Sequence, residues 1–155
     1  MRDALDYRHC SGSGDLARDA EPFPYQQDEG RPMMGDRELL ERAADAAGIL
    51  INELYTDRHP PSNLPDGYLV ITNASGGHSY WNPLNDNGDA LRLAVRLNLQ
   101  IDVMPRQTFI GWGLRPGEHQ RRAERNEAHG TDPFCATRRA IVRAAAEIGK
   151  AKEQA

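Results

Sequence analysis

Long apolar runs are missing from this 155-residue chain. None approaches the roughly 18 consecutive apolar residues that a membrane-spanning helix needs. Met1 to Gly14 also lacks the apolar central region of a secretory signal, so the sequence reads as that of a cytoplasmic protein without membrane contact. Cysteine is scarce. Cys10 and Cys135 lie far apart, and Cys10 falls in a polar stretch, which argues against a disulfide framework or a zinc site and for two ordinary thiols. The five histidines are scattered, and neither Cys-x-x-Cys nor His-Glu-x-x-His occurs. No metal and no cofactor are therefore expected.

What is present points to one domain. The length is that of a single hydrophobic core, and no linker divides the chain. A mean hydropathy of -0.71 implies a very polar surface. Charge is unevenly placed: residues 1–66 carry 7 basic and 14 acidic side chains, 67–114 carry 3 and 3, and 115–155 carry 9 and 6, which sums to the overall -4. An acidic first part would repel nucleic acid, whereas the basic tail would attract an acidic partner.

Residues 1–35 combine Asp, Glu, Gly, Gln and Pro with isolated apolar residues and no period, which predicts a flexible acidic arm that cannot bury enough surface to offset chain entropy. Gly12-x-Gly14-x-x-Ala17 imitates a dinucleotide fingerprint in letters only, since no strand leads into it. Met33 and Met34 stand directly before the first helix signal and offer an alternative point for translation to begin.

A single α+β domain is predicted over 36–152, with three helices packed on a small, mainly antiparallel sheet. Asp36 is expected to cap a helix whose stripe of Leu39, Leu40, Ala43, Ala44 and Ala47 ends at Gly48. Ile49 to Tyr55 is β-prone. Tyr68 to Thr72 and His78 to Trp81 predict a hairpin around Asn73 to Gly77, where Asn73-Ala74-Ser75 is a turn rather than a glycosylation site. Asp86 should cap the most buried helix, with Ala90, Leu91, Ala94 and Val95 inward and Leu93 and Leu97 widening the stripe. Leu99 to Val103 and Thr108 to Trp112 predict a second hairpin, and Gly113 to Gly130 a loop or solvated helix. Asp132-Pro133 then opens a last helix that buries Phe134, Ile141, Ala145 and Ile148. No internal repeat is visible in the letters.

Tests for chemistry return little. Asn85-x-Asn87-Gly88-Asp89 imitates part of a calcium loop, but Ala94 stands where a bidentate Glu is required, so a capped turn fits better. Ser75-Gly76-Gly77-His78 holds a nucleophile and a base too close together on one hairpin tip to align. Asp57-Arg58-His59 beside Glu53 fits surface ion pairing. The expectation is a protein that is not an enzyme. A candidate interaction surface consists of Arg121, Arg122, Arg125, Arg138, Arg139 and Arg143, together with Tyr80, Trp81 and Trp112. The arginines would suit phosphates or an acidic protein groove. Aromatics for base stacking are not interleaved among them, and the three aromatics fit core positions as well as interface anchors.

In the runs Trp81-Asn82-Pro83-Leu84, Asp89-Ala90-Leu91-Arg92-Leu93-Ala94-Val95 and Ala136 to Gly149, and in Glu38-Leu39-Leu40 to Ala46-Ala47-Gly48-Ile49, the chain resembles small uncharacterised proteins of tailed phages and prophages. The resemblance covers roughly residues 36–104 and 132–150 and transfers no catalytic residue. It implies a phage accessory protein in the host bacterial cytoplasm. Such a protein would bind a host or phage protein complex without catalysis, conceivably antagonising a defence system such as CRISPR-Cas. A nucleic-acid-associated protein using the arginine patch is the alternative, and an enzyme with an unrecognised site a third.

Overall fold

The computed structural model describes residues 34–58, 62, 63, 67–113 and 123–155. Of the predicted arm over 1–35, residues 1–33, with Cys10 and the Gly12 string, lie outside them, as do His59, Arg121 and Arg122. The architecture is α+β. Helix α1 (Asp36–Ala46) leads into strands β1 (Leu50–Ile51), β2 (Leu69–Thr72) and β3 (His78–Trp81). Helix α2 (Asn87–Arg96) leads into β4 (Gln100–Val103), β5 (Gln107–Trp112) and β6 (Ala123–Ala128), and α3 (Pro133–Glu153) closes the chain. The strands form two antiparallel three-stranded sheets, β1-β2-β3 and β4-β5-β6, where one sheet was expected.

This order is a helix followed by a three-stranded meander, stated twice. The letters hide the repetition, but burial does not. Leu40, Ala43, Ala44 and Ala47 are buried on α1, and Ala90, Leu93 and Ala94 are buried on α2 with Leu97 packed against the same core, a shift of 50 positions. Each helix stops in the same way. Gly48 (φ 63) and Asn98 (φ 52) both adopt left-handed backbone, and the next amide bonds back into the helix, Ile49 to the Ala44 carbonyl and Leu99 to the Ala94 carbonyl. Glycine and asparagine are the residues that take this conformation most readily.

The capping predictions hold at two of three starts. Asp86 accepts from the Asp89 amide, and Asp132 accepts from the Phe134 and Cys135 amides with Pro133 in the first turn. At α1 the cap is Gly35, without a side-chain bond, and Asp36 is already helical, where its charge favours the positive end of the helix. The β-prone run after Gly48 yields two strand residues and then a π-helical turn, Leu54–Arg58, whose Thr56 hydroxyl accepts from the Val70 amide at 3.0 Å.

The core lies between α1, α3 and the inner sheet faces. Helix α3, not α2, contributes the most buried residues, because α1, α2, β5 and β6 all pack around it. Its inner surface is mostly alanine, which lets α1 come close. A Cβ at Gly149 would stand 2.5 Å from the Arg42 carbonyl oxygen, so glycine is required at that crossing. Three apolar residues expected inside are outside: Leu91 (59% exposed), Val95 (72%) and Phe134 (69%). Leu91 and Val95 lie on the side of α2 away from the Ala90, Leu93 and Ala94 stripe. Thr137 bonds Thr108 near the start of β5, so Phe134, a turn earlier, projects beyond the strand.

The predicted loop or solvated helix over 113–130 contains β6 instead. Arg125 and Glu127 stand opposite Ile110 and Thr108, the inward residues of β5. They reach α3 through the pairs Arg125–Glu147 and Arg143–Glu127, the latter at 2.6 Å. Matched charge with buried alkyl stems thus takes the place of apolar alternation on this edge strand. Cys135 is disulfide-bonded, contrary to the thiol expectation, and Cys10, the other cysteine of the chain, lies outside the described residues.

Candidate functional site

The arginines proposed as a surface are largely engaged within the fold. Arg125 and Arg143 pair with Glu147 and Glu127, and Arg139 reaches Asp36 at 3.3 Å, joining α3 to α1. Arg138 donates to the Leu84 carbonyl and to the Asn87 side chain, both at 2.7 Å, and so ties α3 to the start of α2. The predicted aromatics separate. Trp81 is a core residue, Trp112 is half-buried against the core from the second sheet, and the Tyr80 hydroxyl donates to Asn63 at 2.6 Å.

The run Trp81 to Leu84 has an architectural role. Asn82 is buried, and it donates to the Gly67 carbonyl while its side-chain oxygen accepts from the Leu84 and Asn85 amides. Its own amide donates to Asp89 at 2.9 Å. Pro83 and Leu84 are also buried. Trp81 to Leu84 and Asp89 therefore fix the corner between β3 and α2.

That corner opens onto a groove of about 600 Å³ between the first sheet and α2. Its floor is one sheet face: Ile71 stands opposite Ser79, and Trp81 follows two residues on, so pleating points all three the same way. Gly48 to Leu50, at the corner from α1 into β1, form one end. Helix α2 forms the wall with Asp89, Arg92, Leu93 and Arg96, positions i, i+3, i+4 and i+7, which share one helix face. Tyr80 and Trp81 were predicted candidates and border this groove. Arg92 and Arg96 were missed, although their spacing of four on a predicted helix was available as a signal.

The polar groups here have defined tasks. Asp89 is buried and accepts from the Asn82 amide and from Arg92 at 3.0 Å. The Arg92 side chain remains 75% exposed at the rim. Arg96 is exposed and reaches the Gly48 carbonyl at 3.4 Å. The Ser79 hydroxyl donates to Asn73 at 3.2 Å. The groove therefore offers a mixed lining, with half-buried Ile49 and Ile71 and exposed Leu50 beside Thr72, Asn73 and Ser79, under a cationic rim.

The other sites considered from sequence remain apart. His78 stacks obliquely on Tyr55, and Asp57 pairs with Arg37. Asn85 to Asp89 form the capped turn into α2. Thr108, fully buried, bonds His129 Nε2 and the Thr137 hydroxyl, each at 2.8 Å. Thr137 donates its proton to the Pro133 carbonyl, so it accepts from Thr108, which in turn accepts from His129 Nε2–H. This chain staples α3 to the second sheet. Among the described residues no three His, Cys, Asp or Glu side chains converge in a metal-binding group. Comparison of the chain with protein-family models, curated proteins and solved structures gives no match.

Proposed function

We propose that this chain is a non-enzymatic binding protein of phage or prophage origin that occupies a surface of a host or phage protein complex. A defence system such as CRISPR-Cas is one class of complex that this reading includes. The observation that carries the binding reading is the groove between α2 and the first sheet, where half-buried Ile49 and Ile71 and exposed Leu50 lie beside exposed Arg92 and Arg96. An apolar floor supplies desolvation and a charged rim supplies orientation, the division of labour found in recognition sites. The phage origin rests on the sequence resemblance alone.

Nucleic-acid binding through the C-terminal arginines is a weaker reading, because Arg125, Arg139 and Arg143 are paired with carboxylates and their side chains are mostly covered, at 21–29% exposure against 75% for Arg92. Affinity purification of the full chain from infected cells, with and without nuclease, tests the choice. A stoichiometric protein partner that survives nuclease and is lost on Ser79→Trp, which fills the groove, is the expected result. Retention that vanishes with nuclease would favour the alternative.

A further inference from the structure

We infer that the groove takes an acidic, extended peptide segment carrying one bulky apolar side chain. This deepens the binding reading above and rests on it. Three features of the lining select that occupant. The first is charge. Asp89 is the acidic residue among those that line the groove, and its carboxylate is buried and held by the Asn82 amide and Arg92. Arg92 extends most of its guanidinium to solvent beyond that bond, and Arg96 adds a second cation one helical turn away. A guanidinium has five donors, so both can still grip carboxylates. The exposed potential is therefore positive, and a basic ligand is repelled.

The second feature is the floor. Half-buried Ile49 and Ile71 and exposed Leu50 give an apolar surface, over the buried Trp81 and Leu93, that polar peptide alone would leave without a partner, so one bulky apolar side chain is expected to enter. The third is shape. A space of about 600 Å³ bordered on one side by a helix of 10 residues accepts a short segment, not a broad protein face. Single-stranded nucleic acid shares the negative charge but needs exposed aromatic faces for stacking. Here Trp81 is buried and Tyr80 turns its hydroxyl to Asn63.

Panning a random heptapeptide library on the immobilised full chain tests this, with Arg92→Gln/Arg96→Glu and Ser79→Trp chains in parallel, each checked for folding by circular dichroism. The expected outcome is enrichment of peptides with several Asp or Glu around one large apolar residue. Their capture should fall at least about tenfold on the arginine double variant, the scale of losing a charge pair, and disappear on Ser79→Trp. Enrichment of neutral or basic peptides, no enrichment, or equal capture by the arginine variant overturns the inference. If Ser79→Trp abolishes capture while the arginine variant does not, only the acidic occupant falls. If Ser79→Trp captures as well as the native chain, the groove reading itself falls. A single-stranded DNA 12-mer that binds with Arg92 and Arg96 dependence and displaces the peptides would replace the peptide as occupant.

Discussion

The two helix-and-meander units share an order of elements and differ in what lies on their sheets. The second sheet has α3 directly against it: Thr108 and Ile110 are fully buried, and the paired Arg125 and Glu127 complete the contact. On its other face the first sheet buries Val70, and on the groove face it is sealed at Leu69 and Trp81. Further along the same face, Ile71 is half-buried and α2 stands off, leaving the groove. One architectural unit thus serves as a closed support and the other as an open surface. The difference follows from the covering helix. Helix α3 has 21 residues and small side chains that permit close approach, whereas α2 has 10 and carries two exposed arginines at the rim of the groove.

The largest effect expected from this contrast is at the closed sheet. Ile110→Ala should cost about 2–5 kcal/mol, the range for emptying a well-packed core position, read by urea denaturation. Thr108→Val should cost about 1–3 kcal/mol, because it keeps the shape but removes the hydroxyl that links His129 to Thr137. The same titration measures it, and a loss as small as that of a surface substitution would show that the hydroxyl chain does not hold α3 to the sheet. Ile71→Ala in the open sheet should cost least, about 1 kcal/mol, since only part of the side chain leaves water on folding. If Ile71→Ala proved as damaging as Ile110→Ala, the groove would be closed in solution and the contrast between the units would vanish.

Much of the fold was legible because its signals are local. Asp86, the Asp132-Pro133 pair and Gly48 announce helix ends through backbone groups within a few residues. Both hairpins follow from alternating apolar residues around turn-forming ones. The missed elements lacked such signals. Strand β6 has no apolar alternation, since its inward side chains are ions matched by α3. The repeated unit escaped notice because it is conserved in burial pattern and helix termination rather than in letters. The candidate site was half legible: Tyr80 and Trp81 were noted as candidates and border the groove, but the cations beside them are Arg92 and Arg96 instead of the C-terminal arginines.

The amino-acid sequence by itself determined the α+β class, the stop of α1, the starts of α2 and α3, and the turns of two hairpins, because capping, glycine backbone and periodicity act between near neighbours. Only the tertiary structure decided which apolar faces are covered. Leu91, Val95 and Phe134 match the pattern of buried residues yet meet solvent, and Arg125, Arg139 and Arg143 match a binding patch yet meet carboxylates. The reason is physical: burial and ion pairing are set by partners far away along the chain, and no local spacing records whether such a partner arrives.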